Sequence, residues 1–231
     1  MMAPKAVVLL SGGIDSATCA AVARSRGFAV AGLTVDYGQR HRLELEAAAK
    51  IASYLKLEAH YVVAVDLRAI GKSALLGSED VPKDRSEAEI SQGIPATYVP
   101  ARNTILLSLA LALAESLGAA DIFIGANVLD YSGYPDCRPE FLQTFEKLAN
   151  LATKAGVEGN TQFRVHAPLL FLTKAEIIRL AISLGVDLSL TMSCYDPTPA
   201  GLACGRCDSC QIRRRAFSQT GVPDPTRYVC S

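Results

Sequence analysis

The chain has 231 residues with 23 basic and 23 acidic side chains, so no global field draws it to nucleic acid or an anionic membrane, and a small-molecule substrate is favoured. Half of the residues are hydrophobic, enough for one α/β domain of ~150 residues and an appendage. The longest apolar run, 105–114, falls well short of the ~20 residues of a membrane span, and no leader pattern opens the sequence, so a soluble, cytoplasmic protein is expected.

The first element is the apolar run Ala6-Val7-Val8-Leu9-Leu10, which passes directly into Ser11-Gly12-Gly13-Ile14-Asp15-Ser16 and then a helical pattern. A buried strand that delivers the chain to a glycine turn and a helix N-terminus gathers backbone N–H groups and the positive end of a dipole, which together form an anion cradle. The GxxxxGK[ST] loop is not matched, because no lysine precedes Ser16 and the glycines are adjacent, so γ-phosphate chemistry of that kind is not expected. SGGxDS resembles instead the pyrophosphate loop of ATP pyrophosphatases, which act at the α-phosphate and release pyrophosphate.

Further along, 17–26 reads as a helix closed by Gly27, and 28–35 as a second buried strand ending in Asp36-Tyr37-Gly38-Gln39-Arg40. Leu43, Ala47, Ile51 and Tyr54 recur at helical spacing, and 61–65 gives a third strand. From 66 to 100 the pattern loosens into a mobile excursion suited to a lid. A helix over 105–117, apolar on nearly every face, is expected to be central and buried. Strand 120–126 leads into a loop rich in hydrogen-bonding and stacking side chains, from Asn127 to Pro139, and a helix from Pro139 to Gly156 follows. A fifth strand spans 163–168, and Thr173-Lys174-Ala175-Glu176 fits a capping box. Alternating strands and helices imply a doubly wound parallel sheet, in which the Ser11, Asp36 and Asn127 loops share one rim.

Seven cysteines form an odd set, and four of them, Cys194, Cys204, Cys207 and Cys210, supply the thiolates of a closed tetrahedral zinc site. An iron–sulfur cluster is the rival, but ferredoxin-like runs place the remaining cysteine downstream beside a proline. Arg213-Arg214-Arg215 reads as a solvated helix face before a nucleic-acid site. His41, His60 and His166 lack ligand spacing, and Cys137 has no neighbouring histidine to activate it.

Taken together, SGGIDS, DYGQRH, VPARNT, DYSGYPDCRPEF, the TKAE helix start and SCY followed by CGRCDSC resemble the 7-cyano-7-deazaguanine synthase family of queuosine biosynthesis, in order and over nearly the whole chain. The resemblance implies an adenine nucleotide alpha hydrolase-like (Rossmann-like) α/β domain over 1–190 and a zinc-bound helical segment over 191–231. It implies an ATP-dependent ligase joining ammonia to 7-carboxy-7-deazaguanine through an adenylated carboxylate, an amide and a second adenylation, with ATP, Mg and Zn as cofactors and a homodimer as the assembly. ATP contacts are expected along Leu10, Ser11, Gly12, Gly13, Ile14, Asp15, Ser16, Ala17, Thr18, Cys19 and Ala20, with Asp15 placing magnesium and Lys174 neutralising phosphate charge. For the substrate, Asp130 or Asp136 is expected to accept from the adjacent donors of the deazaguanine edge, Tyr131 and Tyr134 to stack on the ring, and Arg102 or Arg138 to grip the carboxylate. Tyr37, Gln39, Arg40, Asn103 and Asn127 complete the expected substrate contacts. A tRNA sulfurtransferase or lysidine-type ligase shares the pyrophosphate loop, as does a non-catalytic nucleotide-binding module, but an RNA enzyme calls for a basic face or an appended RNA-binding domain.

Overall fold

Side chains alternate between the two faces of a strand, so Val7 and Leu9 point to one side and Ala6, Val8 and Leu10 to the other, and none of the five is more than 7% exposed. A strand buried on both faces belongs in the middle of a parallel sheet. The computed structural model, which describes residues 3–69, 71–77, 79–90, 93–129 and 134–229, puts it there. Strand β1 (Lys5–Leu9) pairs in parallel with β2 (Ala29–Asp36) on one side and β4 (Asp121–Phe123) on the other, with Val8 in register between Gly32 and Phe123. Strands β3 (Ala59–Ala64) and β5 (Arg164–His166) are the edges, giving the order β3-β2-β1-β4-β5 with every pairing parallel.

Helices α4 (Arg102–Leu117) and α5 (Pro139–Ala152) cover one face through Leu107, Leu111, Leu142 and Phe145. The other face is covered by α1 (Ile14–Ser25), α2 (Leu43–Tyr54), α7 (Lys174–Ser183) and α8 (Asp208–Thr220), through Ala20, Ile51, Ile177 and Phe217 among others. The doubly wound class expected from the sequence is the one observed. Because the chain winds outward from β1 to β3 and then returns to β4, the sheet's switch point lies between β1 and β4, and a crevice opens at their C-terminal ends.

Three expectations need correction. Helix α4 is not buried all round: Asn103, Leu107, Ala110, Leu111 and Ala114 form one buried face, while Ser108, Ala112 and Ser116 are exposed, because it packs on only one face of the sheet. The helix from Pro139 breaks at Thr153, where the backbone turns extended (φ −115°, ψ 149°) and the threonine hydroxyl accepts from Gly156 N–H to start a separate turn, α6 (Lys154–Val157). Among its described residues the 66–100 stretch forms two single 3-10 turns, Leu67–Ala69 and Ala74–Leu76, and a short helical turn, α3 (Glu87–Ile90), and it is pinned at many points. Leu67, Leu75, Leu76 and Val99 enter the core beneath α4, and Ala74 and Val81 pack against the cysteine cluster. Lys83 pairs with Asp196 at 2.7 Å and Arg85 with Asp208 at 2.8 Å, and Asp84 pairs with Arg206, so this segment straps the sheet to the C-terminal region.

Candidate active site and cysteine cluster

The loop after β1 closes on itself. Ser16 Oγ accepts from the Ser11 N–H and the Ser11 hydroxyl, each at 3.1 Å, and donates to Gly13 O at 3.1 Å. Its two glycines do different work. Gly12 has φ +86°, and a Cβ there would lie 2.4 Å from the Glu44 carbonyl oxygen and 2.9 Å from the Ala48 nitrogen, so α2 presses directly on the loop. A Cβ on Gly13 would meet nothing closer than 3.6 Å, so its missing side chain leaves one face of the loop open. Gly12→Ala is therefore expected to lower the melting temperature, with backbone strain alone costing about 1–3 kcal/mol, whereas Gly13→Ala keeps the fold and weakens nucleotide binding. Thermal melts and equilibrium nucleotide titration separate the two, and a wild-type melt for Gly12→Ala contradicts this reading.

The chain leaving β4 passes beside the same loop: a Cβ on Gly125 would sit 3.0–3.1 Å from the Asp15 backbone. At the opposite wall, the Thr173–Glu176 capping box aims the start of α7 at the cradle, and Lys174 Nζ donates to both Asp15 oxygens, at 2.6 and 2.8 Å. Met192 N–H binds the Gly12 carbonyl at 2.9 Å, which ties the segment after α7 to the loop.

These elements enclose a cavity of about 270 Å³. Leu10, Ser11, Gly13, Ile14, Asp15, Ser16 and Lys174 line it together with Tyr37, Gln39, Arg102, Asn103, Asn127 and Tyr134. Arg102 stacks over the Tyr37 ring, its guanidinium carbon 5.8 Å from the centroid. Burial opposes its charge, but the oxygens of Tyr37, Tyr134 and Tyr195 around it carry its pKa above the ordinary value, so it remains a cation. Tyr134 is buried, its hydroxyl 2.9 Å from Thr97 Oγ1. Asn127 Nδ2 donates to Leu169 O and Leu172 O in the segment after β5, whereas Gln39 Oε1 accepts from the Tyr37 N–H of its own loop.

Other expected residues lie elsewhere. Gly12 is occupied by α2, and Ala17, Thr18, Cys19 and Ala20 turn into the core behind the cradle. Arg40 binds Asp196 and Glu79 O outside the cavity. Arg138 is exposed and does not line it, which separates it from Arg102. Asp136 is buried with Oδ2 accepting from the Asn103 N–H at 2.9 Å, so its carboxylate caps the start of α4. Asp130 and Tyr131 fall outside the described residues. Cys137 is a neutral thiol, pushed up to about 11 by burial and then by Asp136, with Asn103 Nδ2 3.2 Å from its sulfur. Residues that line the cavity without having been anticipated include Thr34, Glu44, Tyr195, Ser209 and Arg213.

Of the run read as a solvated face, Arg214 and Arg215 are exposed and only Arg213 departs from it. Arg213 is 2% exposed, binds Thr191, Ser193 and Leu188 O and pairs with Asp224 at 3.1 Å, while Arg214 stacks on Tyr228 and Arg215 pairs with Glu87.

The ligand sulfurs of Cys194, Cys204, Cys207 and Cys210 all lie within 4.8 Å of one another. A tetrahedron with Zn–S of about 2.3 Å has sulfurs about 3.8 Å apart, and Cys204 and Cys210 are at 4.0 Å. Backbone N–H groups of Cys204 and Asp196 point at the Cys194 sulfur and those of Arg206 and Cys207 at the Cys204 sulfur, as suits thiolate acceptors. Four soft donors in a largely buried tetrahedral cluster fit zinc and leave no open position. His41 Nε2 lies 3.0 Å from Cys194 O and 3.8 Å from Oε1 of Glu44, which lines the cavity.

The chain resembles several known proteins. Residues 5–221 match the family model described as queuosine biosynthesis protein QueC. The 7-cyano-7-deazaguanine synthase of Syntrophotalea carbinolica is 63% identical over 228 residues, covering 99% of this chain and 98% of the relative, and that of Myxococcus xanthus is 60% identical over 228 residues, covering 99% of each. Among solved structures, the NMN synthetase of Francisella tularensis superposes with a TM-score of 0.48 at 18% identity, covering 96% of this chain and 79% of that one. With the family model spanning most of its length and relatives near 60% identity, the chain belongs to the QueC family of queuosine biosynthesis proteins.

Proposed function

We propose that the chain converts 7-carboxy-7-deazaguanine, ammonia and ATP into 7-cyano-7-deazaguanine, acting as a carbon–nitrogen ligase through an adenylated carboxylate, an amide and an adenylated amide. The observation that carries this reading is that one cavity is lined both by the Ser11–Ser16 cradle with Lys174 and by Arg102, Tyr37 and Tyr134. A carboxylate is a poor electrophile; transfer of AMP to it supplies a leaving group, and the cradle's N–H groups with Lys174 stabilise the departing pyrophosphate. Arg102 grips the substrate carboxylate, and Tyr37 and Tyr134 border the deazaguanine ring, with Gln39, Asn103 and Asn127 completing the wall. Asp136 acts through the start of α4, which carries Arg102 and Asn103.

Asp15 is suited to a magnesium ion brought by the nucleotide, which when bound would neutralise phosphate charge. Its carboxylate has about four lone-pair sites, of which Lys174 takes two. Residues 1–190 form the ATP pyrophosphatase domain in this reading and 191–231 the zinc-binding segment. A homodimer is the proposed assembly, and the exposed Leu148 and Leu151 on α5 and Val157 on α6 are apolar side chains available to one. No helix among the described residues is long and apolar enough to cross a membrane, and the cytoplasm is the proposed location. Mass spectrometry of the products from ATP, ammonium and the carboxy-deazaguanine tests the reading: the nitrile is expected with AMP, and unchanged acid under all conditions overturns it.

A further inference from the structure

The reaction proposed above, on which this inference rests, takes three protons from one nitrogen. When ammonia attacks the acyl adenylate, the C–N bond forms, the C–O bond to AMP breaks with its electron pair leaving on AMP, and the nitrogen sheds one proton to become an amide. When the adenylated amide collapses, AMP departs with the former carbonyl oxygen, the two remaining N–H electron pairs become C–N bonding pairs, and two protons leave. A general base beside the reacting carbon is needed each time.

The described residues lining the cavity include no histidine, and their carboxylates are Asp15 and Glu44. Asp15 is tied by two hydrogen bonds from Lys174. Glu44 stands in the first turn of α2, its own carbonyl lies against Gly12 of the cradle, and the residue lines the same cavity as Ser11, Gly13 and Asp15. It is 19% exposed. The groups facing it are Arg102 from α4 and, from the loop after β2, Tyr37 and His41, with His41 Nε2 3.8 Å from its Oε1.

We propose that Glu44 is the proton acceptor for both amide formation and nitrile formation. Its surroundings tune it for that work. Burial pushes its carboxyl up to about 7, with Arg102 opposing the rise, and a base near neutrality takes a proton from nitrogen and releases it to solvent between steps. The same tuning carries a linkage signature. A folded-state value above the unfolded one means that the ionised form costs the fold stability above about pH 7, a cost that fades as pH falls toward the unfolded value near 4.5. Burial, the first cause of the shift, also raises Tyr37, to about 12, with Glu44's charge adding to it, so removing that charge relaxes the phenol as well.

The test compares wild type, Glu44→Gln and Glu44→Asp by pyrophosphate exchange into ATP with the acid alone, which reads the first adenylation, and by rapid-quench formation of amide and nitrile. In Glu44→Gln, exchange is expected to persist, while amide formation and dehydration of supplied amide each fall on the order of 10²–10⁴-fold. The limb of the kcat profile that rises through about pH 7 should disappear, Glu44→Asp should restore part of it, and the Gln variant should melt higher than wild type at pH 8. Amide and nitrile formed at wild-type rates, or exchange lost in step with the amide, overturn the role of Glu44 while the proposed reaction stands. A wild-type enzyme that exchanges pyrophosphate but never forms amide refutes the reaction, and this inference with it.

Discussion

Replacing Asp15 with alanine is expected to abolish both adenylations together, lowering turnover by on the order of 10³-fold or more. Asp15 lies in the first turn of α1, where its charge complements the helix N-terminus, and its two oxygens hold Lys174 at 2.6 and 2.8 Å. Removing the carboxylate therefore loses the proposed magnesium ligand and also frees Lys174, which the proposed mechanism assigns to the phosphates. Because the proposed mechanism uses one cradle for both activations, conversion of acid to amide and dehydration of supplied amide should fail alike. Asp15 is partly exposed, 29% for its side chain, so the fold should survive and circular dichroism should match wild type. A variant that still dehydrates supplied amide at the wild-type rate would show that the second activation uses other groups.

The largest effect on stability is expected at Cys207. It is fully buried, it is the N-cap of α8, and it sits in a small cluster with Cys194, Cys210, Ala74, Val81 and Ala203, against which Met192, Tyr195 and Tyr228 pack. A structural zinc contributes roughly 10–16 kcal/mol in small zinc modules, so a metal held by the four thiolates should add to the hold that Ala216 and Phe217 of α8 already give this segment on the sheet. Cys207→Ser should lose the metal and expose both the α8 start and the 83–90 strap to hydrogen exchange, because Lys83, Asp84 and Arg85 are anchored to Asp196, Arg206 and Asp208 around the cluster. Ser209, Ile212 and Arg213 of α8 line the cavity, so activity should fall with metal loss although the metal does no chemistry. The purified protein should carry one zinc per chain by elemental analysis. Iron in that position, or wild-type exchange protection in the variant, would contradict this account.

Legibility in the sequence followed the range of the forces involved. The strand, cradle and helix start at 5–16 could be read because each is set by local chemistry: alternation that buries both faces, a glycine that must take positive φ, and a helix that needs no side-chain cap. The Thr173–Glu176 capping box and the cysteine spacing are local in the same way. What escaped depends on partners far along the chain. Glu44 looks like any acidic residue in an amphipathic helix until α2 is laid against Gly12. Arg213 reads as one charge in a run until Thr191, Leu188 and Asp224 close around it. Composition gives α4 no polar face, yet Ala112 and Ser116 stay in solvent, because the packing geometry and not hydropathy chose the side it buries. The 66–100 strap has no period to detect, since its order comes from ion pairs to residues more than a hundred positions away.

The most direct measurement of the central claim is the nucleotide stoichiometry of a complete turnover. If the cradle formed by Ser11–Ser16, with Asp15 and Lys174, holds a departing pyrophosphate twice in one catalytic cycle, then AMP and pyrophosphate should accumulate at about two per nitrile formed, following the two activations that acid-to-nitrile conversion needs. Starting from the supplied amide, the ratio should fall to about one. ADP as the nucleotide product, or a ratio of one from the acid, would contradict the account.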